Sequence, residues 1–356
     1  MRLLLLPFSA IYWLITAIRN FAFDKGFLKS VKFGFPVISV GNITVGGTGK
    51  TPHVEYLIKL LQDTSKPGVL SRGYKRKTKG FVLAHKKTNV NEIGDEPFQI
   101  FNKFSKISVA VCESRVEGVQ KLVEKKPKTK VVLLDDAFQH RYIKPGLSVL
   151  LIDYYRPVFK DFLLPAGNLR EGIRGIHRAD VVVITKVPQE LSSDEKNHWR
   201  AKLRLNSKQD LFFSGIEYKN PVRLFDNTKK DFSFEGIAEK KMKVLLVTGI
   251  ANPDPLKDFL SYSKIKFEHL AFADHHDFTQ NDIQKIKAEF NAFGKRKKLI
   301  LTTEKDAMRL KSFKHIPKSI KDKICYVPVS VRILSDQQEQ FNSIILNYVK
   351  ENTGNS

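Results

Sequence analysis

Short runs of apolar residues recur along this chain, and most are followed by a stretch with apolar positions at helical spacing. Val37–Val40, Gly68–Tyr74, Ile107–Val111, Val131–Leu134, Leu147–Ile152 and Ala179–Thr185 are such runs, with a shorter candidate at Phe81–Ala84. They read as strands, most of them buried on both faces. His53–Leu61, Phe98–Phe104 and Ser114–Glu124 read as helices between them. Strands alternating with helices predict a mainly parallel sheet covered on both sides. From about Ser192 to Lys241 the pattern blurs into polar, lysine-rich sequence with short β-like runs such as Leu211–Ile216. A second α/β unit then begins. Its strands are expected at Val244–Gly249, Phe267–Phe272, Leu299–Thr303 and Cys325–Val329, and its helices near Asp254–Ser261, Asp282–Phe293 and Phe341–Tyr348. No repeat of fixed short period is present.

The N-terminus breaks this rhythm. Leu3–Ile18 carries no charge, and Arg19 is the only charge between Leu3 and Phe23. The uncharged run is shorter than the roughly 20 residues of a spanning helix. Arg2, Arg19, Lys25, Lys29 and Lys32 flank it, and Tyr12 and Trp13 suit an interface. A signal peptide fits poorly for want of a small-residue cleavage site. A membrane-seated helix is preferred over a buried core helix. The expected domains are 1–30 as this helix, 31–205 as the main α/β core, 206–241 as a connection and 242–356 as a smaller α/β domain.

Composition narrows the class. The chain has 356 residues, 42% hydrophobic and 28% charged, a soluble globular balance. Its net charge of +24 suits nucleic acid, an anionic membrane or an anionic substrate. No zinc-finger spacing or RNA-binding signature supports nucleic acid. Two cysteines, Cys112 and Cys325, exclude a disulfide scaffold and suit a reducing compartment.

The chemistry concentrates after the first strand. Thr44-Val45-Gly46-Gly47-Thr48-Gly49-Lys50-Thr51 lies between that strand and the first core helix. Glycines let the backbone turn its N–H groups toward phosphate oxygens, and the helix N-terminus adds positive potential. Lys50 is placed for the β- and γ-phosphates of a nucleotide, and the Thr51 hydroxyl for Mg²⁺. The strict P-loop pattern puts glycine where Thr44 stands, so Gly46-Gly47 must supply that freedom. A second signal is Val131–Leu134 ending in Asp135-Asp136, the Walker B pattern, which presents carboxylates to a metal. Ala137–Arg141 follows at the carboxyl edge of the sheet, where ligands bind in such folds.

Other features stay open at this level. Asp95-Glu96-Pro97 either caps a helix or carries catalytic carboxylates. The basic loop Lys75–Lys79 is a solvated surface or meets anionic lipid or phosphate. Thr185-Lys186 is a plain strand end or flanks a nucleotide base. Asp274-His275-His276-Asp277 offers a polarised imidazole more readily than a zinc site, which needs further ligands at set spacing.

Taken together, these segments resemble the tetraacyldisaccharide 4'-kinases of lipid A biosynthesis. The resemblance is carried by Val40–Pro52, Ser71–Tyr74, Gly94–Pro97, Asp135–His140, Pro165–Glu171, Phe272–His275 and Thr303–Asp306, in order over nearly the whole chain. The family's loop also lacks glycine at the place of Thr44; Ala137 stands where it more often has glycine. The resemblance implies a P-loop NTPase-type three-layer α/β fold with a smaller C-terminal α/β domain and an N-terminal apolar helix. It implies transfer of the γ-phosphoryl of ATP to the 4'-hydroxyl of a tetraacylated glucosamine disaccharide 1-phosphate, giving lipid IVA. It implies Asp95 as base, His275 as its orienting partner, and Thr51, Glu96, Asp135 and Asp136 as candidates for Mg²⁺. Gln139, His140, Arg170 and Glu171 are expected to line the site, with Arg72 nearby, and closure of the two domains is expected to assemble it. The expected setting is the cytoplasmic face of a Gram-negative inner membrane. The expected partners are the lipid and the membrane surface, with no nucleic acid and no obligatory protein. An acceptor-free, membrane-associated ATPase switch is the alternative; it has no need of a base such as Asp95.

Overall fold

The computed structural model describes residues 2–188, 190–225, 232–274, 276–313, 315–334 and 336–353. After helix α1 (Leu6–Asp24) the chain alternates as its pattern predicts: β1 (Val37–Asn42), α2 (Lys50–Leu61), β2 (Pro67–Ser71), β3 (Val82–Leu83), α3 (Val90–Ile93), α4 (Asp95–Lys103), β4 (Ser108–Val111), α5 (Arg115–Lys125), β5 (Val131–Asp135), β6 (Leu147–Asp153), β7 (Val181–Thr185), α6 (Ser193–Leu203) and β8 (Asp210–Tyr218). Then come β9 (Val222–Arg223), α7 (Phe234–Glu239), β10 (Lys243–Thr248), α8 (Asp254–Tyr262), β11 (Phe267–Ala271), α9 (Gln280–Ala292), β12 (Lys298–Thr303), α10 (Glu304–Ser312), α11 (Lys318–Lys321), β13 (Ile324–Val327), β14 (Val329–Ile333) and α12 (Gln338–Thr353).

Two compact units divide these elements. The first holds the chain up to Thr88, Ile100–Glu217 and everything from Ser330 on; the second holds Asn89–Gln99 and Tyr218–Val329. In the first, a nine-stranded sheet runs in the order β14-β8-β7-β6-β1-β5-β2-β4-β3. The pairs from β8 through β7, β6, β1, β5 and β2 to β4 are parallel, and β3 is antiparallel to β4. Strands buried on both faces alternate their side chains between two cores. Ile38, Val40, Leu133, Val149 and Val183 pack with Leu57 and Ile58 of α2 and Phe341 and Ile345 of α12. Leu150, Ile152, Val182 and Ile184 pack with Trp199 and Leu203 of α6 on the other side, where Leu70 and Leu134 meet Val119 and Leu122 of α5. That is the three-layer arrangement.

The second unit has a five-stranded sheet, β11-β10-β12-β13-β9, parallel except where β9 meets β13. It has its own cores, one around Val247, Ile286, Phe290 and Ile300, another around Leu246, Leu260 and Leu301.

The boundaries differ from those read in the sequence. The stretch 206–241, expected as a connection, contains β8, whose Phe212 and Phe213 are fully buried in the large sheet. Residues after 330, expected in the second domain, return to the first, because Ile333, Phe341 and Ile345 complete its core. Asn89–Gln99, expected in the first domain, groups with the second, where Phe98 packs against its core.

Candidate active site

The turn after β1 lies at the centre of the sheet, because β1 pairs with β5 on one side and β6 on the other. Its backbone is built for an anion. Gly46 and Gly49 take left-handed conformations, φ +95° and +86°, which only glycine adopts freely. Gly47 does not, so the freedom lost at Thr44 is recovered at Gly46. Thr44 itself bridges to Leu169, and Val45 N–H donates to the Asn168 carbonyl at 2.8 Å.

The loop carbonyls are turned away and held. Thr48 N–H donates to Gly46 O at 3.0 Å, and the Thr185 hydroxyl donates to Thr48 O at 3.0 Å. The Asn42 amide donates to the buried Thr48 hydroxyl at 2.9 Å. His53, buried in α2, donates from Nδ1 to Gly49 O at 2.7 Å, while Nε2 accepts from the Ser214 hydroxyl at 3.0 Å. Burial pushes its pKa down to about 4, so the ring is neutral and the tautomer is fixed by these two partners. Among the described residues, no protein acceptor meets the N–H groups of Gly47, Gly49, Lys50 and Thr51.

Asp135 and Asp136 stand beside this loop. Asp135 is the register partner of Val40, and Asp136 N–H donates to Val40 O at 3.0 Å. Asp135 is fully buried, and Asp136 is left-handed at φ +48°, a conformation an aspartate tolerates better than most residues. Lys50 Nζ lies 3.6 Å from Asp136 Oδ1, and Arg170 Nη1 donates to the same carboxylate at 3.0 and 3.2 Å. Burial raises the Asp136 pKa, but Lys50 and Arg170 outweigh it and hold the carboxyl below the ordinary aspartate value. Arg170 N–H also donates to Ile43 O at 2.7 Å, which ties its strand of loop to the start of the P-loop.

The remaining sequence candidates of this unit gather at the same edge. Glu171 is buried and accepts from Gln139 Nε2 at 2.9 Å, Arg178 Nη2 at 2.7 Å and Asn20 Nδ2 at 3.4 Å. Gln139 and Glu171 thus hold each other in the wall. His140 is pushed down to about 4 by burial, then by the charges of Arg115, Arg19 and Arg72. Arg72 is exposed just past β2. Sequence reasoning missed Arg115, which is buried and donates to the Asp136 carbonyl at 3.4 Å.

Helix α1 packs on these loops by its polar stripe. Ser9 donates to Leu163 O at 2.9 Å, Tyr12 to Arg170 O at 2.8 Å and Arg19 to Gln139 O at 2.6 Å. Its other face is bare: Phe8, Ile11, Ile15 and Ile18 are each about 60% exposed.

In the second unit, α4 opens at Asp95, three residues before the start expected from sequence. Arg309 holds Asp95 through two nitrogens, Nε donating to Oδ1 at 3.1 Å and Nη2 pairing with Oδ2. Its third nitrogen donates to the buried Asp306 at 3.3 Å. Asp306 also accepts from Gly249 N–H at 2.9 Å and the Thr303 hydroxyl at 2.7 Å. Glu96 lies 3.8 Å from Lys305. Nothing near Asp95 in the sequence announces Arg309, its partner from 214 positions away. His275 lies outside the described residues. Its neighbour His276 is committed locally, 2.9 Å from Asp282 and stacked on Phe272.

No group of three His, Cys, Asp or Glu side chains among the described residues would hold a metal unaided. Mg²⁺ does not need one, since it binds through one or two carboxylates plus substrate phosphates. Thr51, Asp135 and Asp136 fit that mode.

The model of the family LpxK, tetraacyldisaccharide-1-P 4'-kinase, matches residues 1–350. Proteins called tetraacyldisaccharide 4'-kinase from Bacteroides thetaiotaomicron and Phocaeicola vulgatus are 47% and 48% identical, each alignment covering 99% of this chain and 94% and 96% of theirs. A crystal structure of LpxK from Aquifex aeolicus in complex with ATP is 31% identical with a TM-score of 0.75, covering 98% of this chain and 99% of that one.

Proposed function

The chain belongs to the tetraacyldisaccharide 4'-kinase family, and from that premise we propose how its residues divide the work. The reaction is ATP-dependent phosphorylation of the 4'-hydroxyl of a tetraacyldisaccharide 1-phosphate, a step of lipid A biosynthesis that yields lipid IVA. The observation that carries the assignment of parts is the P-loop, four N–H groups that meet no protein acceptor among the described residues, beside Lys50 and Asp136. Lys50 and these N–H groups bind the β- and γ-phosphates. Thr51, Asp135 and Asp136 would hold Mg²⁺, which would supply neutralising charge when bound. Glu96 is a further candidate.

Asp95 is the proton acceptor for the 4'-hydroxyl, with His275 as its candidate partner. Arg309 fixes the carboxylate's direction through two nitrogens. Arg170 and Lys50 neutralise Asp136. Gln139, His140 and Glu171, with Arg72 beside them, form the wall that positions the acceptor. The names of the relatives leave the acceptor-free switch without support.

The setting we propose is the cytoplasmic face of a Gram-negative inner membrane. Helix α1 is long and apolar enough to cross a bilayer. Crossing would strip Ser9, Tyr12 and Arg19 of their partners on the loops. Lying in the interface keeps those bonds and seats Phe8, Ile11, Ile15 and Ile18 among acyl chains. The net charge of +24 favours an anionic surface.

The test is ATP-dependent phosphorylation of a tetraacyldisaccharide 1-phosphate in mixed micelles, comparing wild type with Lys50→Ala and Asp95→Ala. Both variants should lose turnover, and Asp95→Ala should still bind nucleotide. ATP hydrolysis by the wild type with no phosphorylated lipid would sink the assignment.

A further inference from the structure

The turn after β6 carries a cation that the scheme above leaves unused. Arg156 is exposed, yet its guanidinium lies on the P-loop. A methyl group placed on Gly46 would sit 3.1 Å from Nη1 and 3.3 Å from Nη2. The guanidinium therefore meets the loop where the backbone is left-handed.

Its own anchor is slack. Arg156 Nη2 is 3.5 Å from Asp153 Oδ2, and that oxygen already takes Lys186 Nζ at 2.6 Å. Asp153 Oδ1 accepts from Tyr155 N–H at 3.0 Å. Lys186 is well enclosed, with 16% of its side chain exposed, against 44% for Arg156. It follows directly on Thr185, the residue bonded to the Thr48 carbonyl. Asp153 is thus neutralised by a lysine fixed to the P-loop's own support, and it has little need of the arginine. The bland alternative is a solvated surface charge, as most exposed arginines are. A surface charge has no reason to lie against the glycine of an anion-binding loop.

We propose that Arg156 contacts the γ-phosphate of ATP. Its guanidinium leaves Asp153 for phosphate oxygens held in the P-loop and neutralises charge as the phosphoryl moves, the part an arginine supplied in cis plays in other phosphoryl transfers. The bond from the acceptor 4'-oxygen to the γ-phosphorus forms. The bond from that phosphorus to the β,γ-bridging oxygen breaks, its electron pair leaving on ADP, and the hydroxyl proton passes to the base. The proposal rests on the kinase reading for its acceptor, but not for its nucleotide.

The experiment uses the full chain in mixed micelles with the tetraacyldisaccharide substrate, as wild type, Arg156→Ala and Arg156→Lys. ATP and ADP affinities are measured by calorimetry without lipid, and each variant is melted. Arg156→Ala is expected to lower kcat by about 10²–10³-fold, with ADP affinity and melting temperature unchanged and the preference for ATP over ADP lost. Arg156→Lys should recover only part of the rate, since an ammonium lacks the planar fork, and added guanidinium should restore part of the rate of Arg156→Ala. Arg156→Ala turning over within about threefold of wild type overturns the proposal, leaving a surface ion pair. So does a parallel loss of ATP binding, ADP binding and melting temperature, which marks a brace. Should the wild type phosphorylate no lipid, the kinase reading fails by itself. The ATP-over-ADP preference then still decides for Arg156 if lost in Arg156→Ala and against it if kept.

Discussion

Acidification protonates His53 in the unfolded chain well before it does so in the folded one. The folded ring is buried, donates to Gly49 O and accepts from Ser214, and its pKa lies at about 4 against 6.5 for an exposed histidine. A depressed histidine pKa contributes stability that is present above the unfolded value and lost as pH falls toward the folded one. A separation of about 2.5 units corresponds to about 3 kcal/mol in full, of which about 2 kcal/mol is gone on moving from about pH 7.5 to about pH 5. For a unit of this size that is a fall of about 4–8 °C in melting temperature. The assay is the melting temperature of the intact protein across this range, wild type against His53→Gln, which keeps an amide for the two partners but cannot titrate. His140 is depressed in the same sense and contributes to both proteins, so the difference between them isolates His53. The variant is expected to start lower and to fall less steeply. Parallel curves for the two proteins would refute the reasoning.

Gly41→Ala would place a methyl 2.7 Å from Phe138 Cβ and 3.0 Å from its backbone nitrogen. It should cost about 1–3 kcal/mol and weaken ATP binding by shifting the Asp135-Asp136 turn, read by melting and calorimetry. Arg309→Met leaves the fully buried Asp306 without its guanidinium and should destabilise the second unit by about 3–5 kcal/mol; Arg309→Met with Asp306→Asn should melt higher than the single variant, and no recovery would count against the pairing. Replacing Ile11, Ile15 and Ile18 by serine should abolish flotation with anionic vesicles while ATP affinity holds. Retained flotation would remove α1 from the membrane.

The parts legible in the sequence are those whose chemistry is local. The P-loop shows because glycine, lysine and threonine must fall in register within a single turn, and Asp135-Asp136 shows because a buried strand ending in acid is unusual. Helix α6 was equally local, since Ser192 and Glu195 form its capping box, but its polar faces masked the signal. The pairing of Asp95 with Arg309 and the field of Arg115 on Asp136 depend on which strands become neighbours. No short window of sequence contains that. The division into units was obscured for the same reason: the residues after 330 are amphipathic in a way that suits either sheet, and only the burial of Phe341 and Ile345 decides.

The core of the P-loop unit is completed by Val331, Ile333, Phe341, Ile345 and Val349, and the whole of Tyr218–Val329 lies between them and β8. A ribosome therefore delivers the nucleotide-binding half of this protein last as well as first. The strands around Lys50 emerge early but wait for their closing strand and helix while more than a hundred residues of the other unit are made and folded. Premature termination after Val329 would spare most of the second unit and leave the first with its apolar face open, so quality control is expected to remove truncated chains through the very half that carries the P-loop.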